Sequence, residues 1–206
     1  NPMAGNTNAF TFGQWESNGQ SASVLLSNSP ARDNWHTMLD QLATFFLELQ
    51  SDGVSVIFRP YHEGNGNWFW WGINQTDVCA TRGAGLTTAS NVYAQIYQQT
   101  VDYIQSKGVN NVLWGFSPNF KWDQWACYVD DGYPGANYVD VNGYDIYYGV
   151  SQQNLSGSLG VYENYTRFTS KNKPMGIFEF GAIPASGDGW NSKTWARSEE
   201  HTSELQ

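Results

Sequence analysis

A parallel α/β fold is what this sequence predicts, on three observations. Helix-length amphipathic segments alternate with short apolar runs, the pattern of strands joined by crossover helices. The chain, at 206 residues, is long enough for one domain with a sizeable core. None of the apolar runs is followed by the glycine-rich phosphate loop expected of a doubly wound dinucleotide fold.

The elements follow in order. Ser29-Pro30 opens a helix whose Trp35, Leu39, Leu42, Phe46 and Leu49 share one face, and Gly53 ends it. Val54–Phe58 then reads as a strand. Val92, Ile96 and Ile104 mark a second helix closed by Gly108, and Asn111–Phe116 is the strand after it. Tyr138–Asn142 gives a third strand, Leu159–Ser170 is compatible with a helix, and Pro174–Phe178 gives a fourth strand.

Composition narrows the function. The formal charge is -9 with only 10 Lys plus Arg and no basic cluster, which excludes a partner whose phosphates need many cations. No apolar run is long enough to cross a bilayer. Aromatic residues make up 16% of the chain, with 10 Trp and 12 Tyr, a surplus that suits stacking on the apolar faces of sugar rings. Cys79 and Cys127 lack the paired spacing of a zinc or redox site, and whether they form a disulfide is left open.

Two carboxylates end predicted strands, where parallel barrels carry their reacting groups: Glu63 after Val54–His62, and Glu179 after Pro174–Phe178. A carboxylate in such apolar company must be hydrogen-bonded, protonated or useful. Two glutamates that merely hold neighbouring loops would give the same pattern. A carboxylate pair is also the equipment for cleaving a glycoside, one group protonating the leaving oxygen while the other attacks or activates water. The stretch RPYHEGNGNWFWWG, residues 59–72, adds Trp68, Phe69, Trp70 and Trp71 beside Glu63. If that segment is extended, successive side chains alternate and one or two of the four line a cleft. Arg59 is expected to pair with a carboxylate on a neighbouring strand. His62 beside Glu63 does not make a metal site, because no second ligand follows at helical spacing; no metal and no cofactor is expected.

RPYHEGNGNWFWWG, LWGFSPN, YPGANYVDVNGYDIYYG and GIFEFG together resemble glycoside hydrolase family 26, whose founding activity is endo-β-1,4-mannanase. The resemblance covers nearly all of residues 1–196. It implies a (β/α)8 TIM barrel and a retaining mechanism, with Glu63 as acid/base, Glu179 as nucleophile, and His62, Trp68, Tyr147 and Asp145 as substrate-binding residues. It also implies a polysaccharide partner, a monomer when complete, and a secreted or cell-surface location. β-1,3-Xylan and mixed-linkage β-glucan are the alternative substrates, and Gly64, where a larger residue is expected in many mannanases, keeps the xylanase reading open. A non-catalytic carbohydrate-binding protein is the alternative of another class, against which the alternating helices count.

Asn1-Pro2 resembles the end of a W-H-x-x-N-P motif after the third strand, so the chain is expected to be a barrel fragment lacking the first strands and the last strand. Residues 197–206 match, codon for codon, the translation of a common short-read sequencing adapter. The expected division is therefore a partial catalytic barrel over 1–196 and a non-native tail over 197–206.

Overall fold

In the computed structural model of the chain, the described residues are 22–66, 69–73, 92–119, 129–149 and 166–183, with side chains described as far as 146 in the third strand and 179 in the fourth. Two of the three predicted helices and all four strands are present; of the third helix, expected over Leu159–Ser170, residues 159–165 lie outside the described residues and 166–169 are helical. A short 3-10 helix, Ala22–Leu26, precedes helix α1, Pro30–Ser51; helix α2 is Val92–Ser106. The strands are β1, Val56–Phe58; β2, Val112–Phe116; β3, Val141–Gly149; and β4, Met175–Ile183.

Local chemistry sets the helix ends. The Ser29 hydroxyl accepts a hydrogen bond from the Arg32 N–H at 3.1 Å, and Pro30 occupies the first helical position, where a missing N–H does no harm. Gly53 and Gly108, at φ of 73° and 92°, take the left-handed turn that stops each helix. Helix α1 buries Trp35, Leu39, Ala43 and Phe46 along one stripe, and α2 buries Tyr93, Ile96, Tyr97, Val101 and Ile104. Burying a side chain the size of Leu39 or Phe46 contributes about 1.5–3 kcal/mol. The rings meet at Phe116 of β2, which makes edge-on contacts with Tyr93, Tyr97, Tyr133 and Phe168.

All strand pairs are parallel and the spatial order is the chain order, β1-β2-β3-β4. A doubly wound sheet reverses its order at a switch point, whereas a barrel adds each strand to the same side. No reversal occurs among the described strands, and the sheet is a segment of a (β/α)8 barrel. Among the described residues no helix is long and apolar enough to cross a membrane.

Two strands differ most from the sequence reading. The third strand begins at Val141 rather than Tyr138 and runs on to Gly149. Asp140 marks its entry, accepting from the Trp114 N–H and donating its own N–H to the Trp114 carbonyl, both at 2.8 Å. The fourth strand continues past Phe178 to Ile183. Both extensions carry polar groups onto a strand, which sequence periodicity reads as an end.

The register of β3 and β4 also slips. Tyr144 pairs with Ile177, but Asp145 pairs with Glu179, so Phe178 is the extra residue of a β-bulge. Strict alternation would send Glu179 to the side opposite Phe178. The bulge turns it onto the face that carries Asp145.

Candidate active site

Glu63 lies on the turn that leaves β1, and the backbone there is strained. Tyr61 and Glu63 have φ of 56° and 54°, a region that side-chain-bearing residues rarely adopt. Surrounding bonds fix it. The Glu63 N–H donates to the Ser117 carbonyl at 2.6 Å, and the Ile73 N–H to the Gly64 carbonyl at 2.7 Å. The Tyr93 hydroxyl donates to the Tyr61 carbonyl at 2.9 Å, and the Trp71 indole to the His62 carbonyl at 2.8 Å. The Tyr61 hydroxyl shares a bond with Thr100 at 2.8 Å and accepts from the Trp35 indole at 3.0 Å; burial pushes its pKa up to about 12. The carboxylate-bearing turn is thus bolted to α1, α2 and the end of β2.

Next to it lies a polar network on the inner face of the sheet. Arg59, half-buried at the end of β1, bonds both oxygens of Asp145 on β3, at 3.1 and 2.9 Å, and forms an ion pair with Glu179 on β4. The expected partner was a carboxylate on a neighbouring strand, but the arginine passes over β2. Gly115 makes room: a Cβ there would stand 3.2 Å from the Arg59 Cβ and 3.3 Å from the Phe178 ring. Ser117, fully buried, accepts from Arg59 at 3.0 Å and donates to Asp145 at 2.8 Å.

The charges compete. Burial raises the Asp145 pKa to about 6; Ser117 and Arg59 pull it down, while Glu179 and Glu63 push it up. Burial works to lower the Arg59 pKa, but Glu179 and Asp145 outweigh it and the guanidinium is held above its ordinary value. Asp145 therefore sits within electrostatic reach of both glutamates, and it joins the two halves of the site. Its N–H donates to the Pro118 carbonyl at 3.0 Å, and it bridges Asn119 in parallel fashion.

Of the residues singled out from sequence, the structure brings together Glu63, Glu179, Asp145 and Arg59. His62 packs against Phe69 and Trp71, with ring centroids 4.8 and 5.8 Å away. Tyr147 lies in β3, opposite Gly181, and its side chain falls outside the described residues. Trp68, Cys79, Cys127 and residues 197–206 also lie outside them.

The reading of residues 68–71 as an extended, alternating run is corrected in its described part. Phe69–Trp71 form a turn closed by the Gly72 N–H on the Phe69 carbonyl at 3.0 Å. Phe69 and Trp71 stack with centroids 4.5 Å apart, and Trp70 meets Tyr61 and Trp71 edge-on. Turning lets neighbouring rings pack on one another, so these aromatics buttress His62 and Tyr61. Gly64 is also explained by packing: it is buried, and a Cβ there would run into the Tyr93 ring. That packing by itself requires a glycine here.

Sequence reasoning missed Asn119, Ser117 and Asn65. The Asn119 side-chain amide donates to Glu63 Oε1 at 2.7 Å. Ser117 and Asn119 stand inside LWGFSPN, so the signal was present as a motif, but nothing in its spacing pointed to a carboxylate 56 residues away.

Comparison with known proteins shows the family. The family model of glycosyl hydrolase family 26 matches residues 2–188. A mannan endo-1,4-beta-mannosidase of Bacillus subtilis strain 168 is 32% identical over 186 residues, 87% of this chain and 46% of that protein. Another, described as A and B, from Caldalkalibacillus mannanilyticus is 35% identical over 151 residues, 71% of this chain and 26% of that protein. Among solved structures, the Bacillus subtilis mannanase BCman superposes with a TM-score of 0.62 at 29% identity, covering 93% of this chain and 50% of that one. The chain thus spans about half the length of these relatives or less. With the family model matching most of its length, and a parallel, sequentially ordered sheet that bears Glu179 on β4 and leads from β1 into the turn of Glu63, the chain belongs to glycosyl hydrolase family 26.

Proposed function

We propose that the protein is a retaining, endo-acting β-1,4-mannanase in which Glu63 is the acid/base and Glu179 the nucleophile. The observation that carries this reading is the unequal company of the two carboxylates. Glu179 is ion-paired with Arg59, which favours the ionised form a nucleophile needs, and Glu63, on the turn after β1, accepts from the side-chain amide of Asn119, which holds its carboxyl in place. The relatives named as mannan endo-1,4-beta-mannosidases support mannan as the substrate.

In the first step Glu63 gives its proton to the glycosidic oxygen as the bond from that oxygen to the anomeric carbon breaks. A Glu179 oxygen attacks the same carbon from the opposite face and forms a glycosyl ester. In the second step Glu63 takes a proton from water, the hydroxide adds to the anomeric carbon, and Glu179 leaves as a carboxylate. Two displacements retain configuration. The two carboxyl groups belong about 5–5.5 Å apart in the substrate-bound enzyme. His62, Trp68, Tyr147 and Asp145 are assigned to sugar binding, Asp145 also tying Arg59 to the site. A secreted or cell-surface monomer acting on an insoluble polysaccharide fits this activity.

The test is reducing-sugar release by the gene completed at both ends, compared on β-1,4-mannan, β-1,3-xylan and mixed-linkage β-glucan. Preference for mannan is expected. Preference for either other glycan overturns the substrate while leaving the two glutamates in their roles; binding without release overturns the enzyme reading.

A further inference from the structure

We infer that Asn119 is a positioning residue for the Glu63 carboxyl, holding Oε1 as a permanent acceptor and so confining the transferable proton to Oε2. The inference rests on the acid/base role given to Glu63 above, but its geometry is independent of substrate.

A carboxylic acid can carry its proton on either oxygen, and only one of them faces a bound glycosidic bond. The Asn119 amide donates to Glu63 Oε1 at 2.7 Å. An amide N–H cannot accept, so a proton on Oε1 would meet a donor head-on; it is accommodated on Oε2. The same oxygen then takes the proton from water in the second step. The amide therefore serves both halves of the reaction with one fixed bond.

Such a bond directs a proton only if both partners are held. Asn119 is gripped at its backbone: its N–H donates to Asn65 Oδ1 at 2.7 Å, and its carbonyl accepts from Asn65 Nδ2 at 2.8 Å. Asn65 is 1% exposed, and a backbone N–H and a backbone carbonyl on its two amide atoms leave its orientation unambiguous. The bridge to Asp145 ties Asn119 to β3 as well. Glu63 is fixed by its N–H on the Ser117 carbonyl, two residues from Asn119. Since Asn65 holds Asn119 by main-chain atoms, changing the Asn119 side chain leaves that grip in place.

Among the described residues, Asp145 of β3 stands within electrostatic reach of Glu63 and pairs with Arg59, which also holds Glu179 of β4, and Tyr93 of α2 packs under Gly64. Replacing the Asn119 side chain leaves each of these residues in place. Losing the amide frees the Glu63 carboxyl to carry its proton on either oxygen, and a carboxylate in its place accepts where the amide donates.

The experiment uses the gene completed at both ends, as wild type, Asn119→Ala and Asn119→Asp. kcat and KM are measured on β-1,4-mannan and on an aryl β-mannoside whose leaving group departs without protonation. The expected result is a kcat on mannan lower by about tenfold or more in both variants with KM within a few-fold, and a much smaller loss in the first step on the aryl glycoside, read as the burst of released phenol. Equal losses on the two substrates, or none on either, in folded variants overturn the inference even if mannan is hydrolysed. A wild-type protein that releases neither sugar nor phenol overturns the enzymatic reading instead.

Discussion

Tyr61 and Glu63 hold backbone conformations that cost of order 1–3 kcal/mol each, and the turn persists because bonds from two helices and a second strand fix it. Such rigidity suits a group that must give and take a proton at one place. Glu63→Gln, which keeps the shape and removes the proton, is expected to lower kcat on mannan by about 10²–10⁴-fold. Glu179→Gln should cost at least as much and abolish any glycosyl-enzyme detectable by mass spectrometry. Activity within a few-fold of wild type for either variant would falsify the assignment of that residue.

Asp145 gives a stability prediction with a defined sign. Its folded pKa of about 6 lies above the ordinary 3.8, so the folded chain binds this proton more tightly than the unfolded one. Its contribution is fully present below about pH 4 and is lost as pH rises through about 6, a change of roughly 3 kcal/mol. Paired carboxylates elsewhere act with the opposite sign, so the informative quantity is a difference. Urea midpoints of wild type should fall relative to those of Asp145→Asn between about pH 4 and 6 and run parallel above. Parallel curves throughout would mean that Asp145 is ionised over the whole range.

At the scale of the elements, the decisive feature is the bulge at Phe178. Its ring lies over Gly143 of β3, where a Cβ would run into it, and over Gly115 of β2. Gly143→Ala is therefore expected to destabilise by about 1–3 kcal/mol, read as a lower urea midpoint, and to displace Glu179 from Arg59. Combining it with Phe178→Leu should recover part of the loss. Strict additivity of the two substitutions would show that the ring and the glycine are not coupled. Helices α1 and α2 were legible in sequence because their apolar stripes repeat every three or four residues, and Ser29, Pro30, Gly53 and Gly108 punctuate them. β3 and β4 were legible only in part. Asp145 and Glu179 interrupt their apolar runs, and both are accommodated by Arg59 at the end of β1.

Across the molecule, the inner face of the sheet shows what the chain meets when alone. Ile57 and Leu113, paired across β1 and β2, are 57% and 45% exposed on the face opposite the helices. A groove of about 810 Å³ opens between α1 and β1, lined by Trp35, Met38, Leu42, Phe45, Phe58 and Trp71. β1 and β4 are the outer strands of the described sheet, and unpaired strand edges are templates for association. The 206-residue chain expressed by itself is expected to self-associate and to show little turnover. A monodisperse monomer in analytical ultracentrifugation with robust mannan hydrolysis would contradict this.

By itself the sequence determined the two long helices and their boundaries, the four strands, and the placing of Glu63 after the first of them. These are local properties, written in periodicity, caps and short motifs. Only the tertiary structure decided that a bulge turns Glu179 toward Arg59, that Gly115 lets Arg59 cross β2, and that Asn119 holds Glu63. Those partners lie 120, 86 and 56 residues apart for Arg59 with Glu179, Arg59 with Asp145, and Asn119 with Glu63. No periodicity reaches across such separations, because what selects these pairs is the three-dimensional register of a curved sheet.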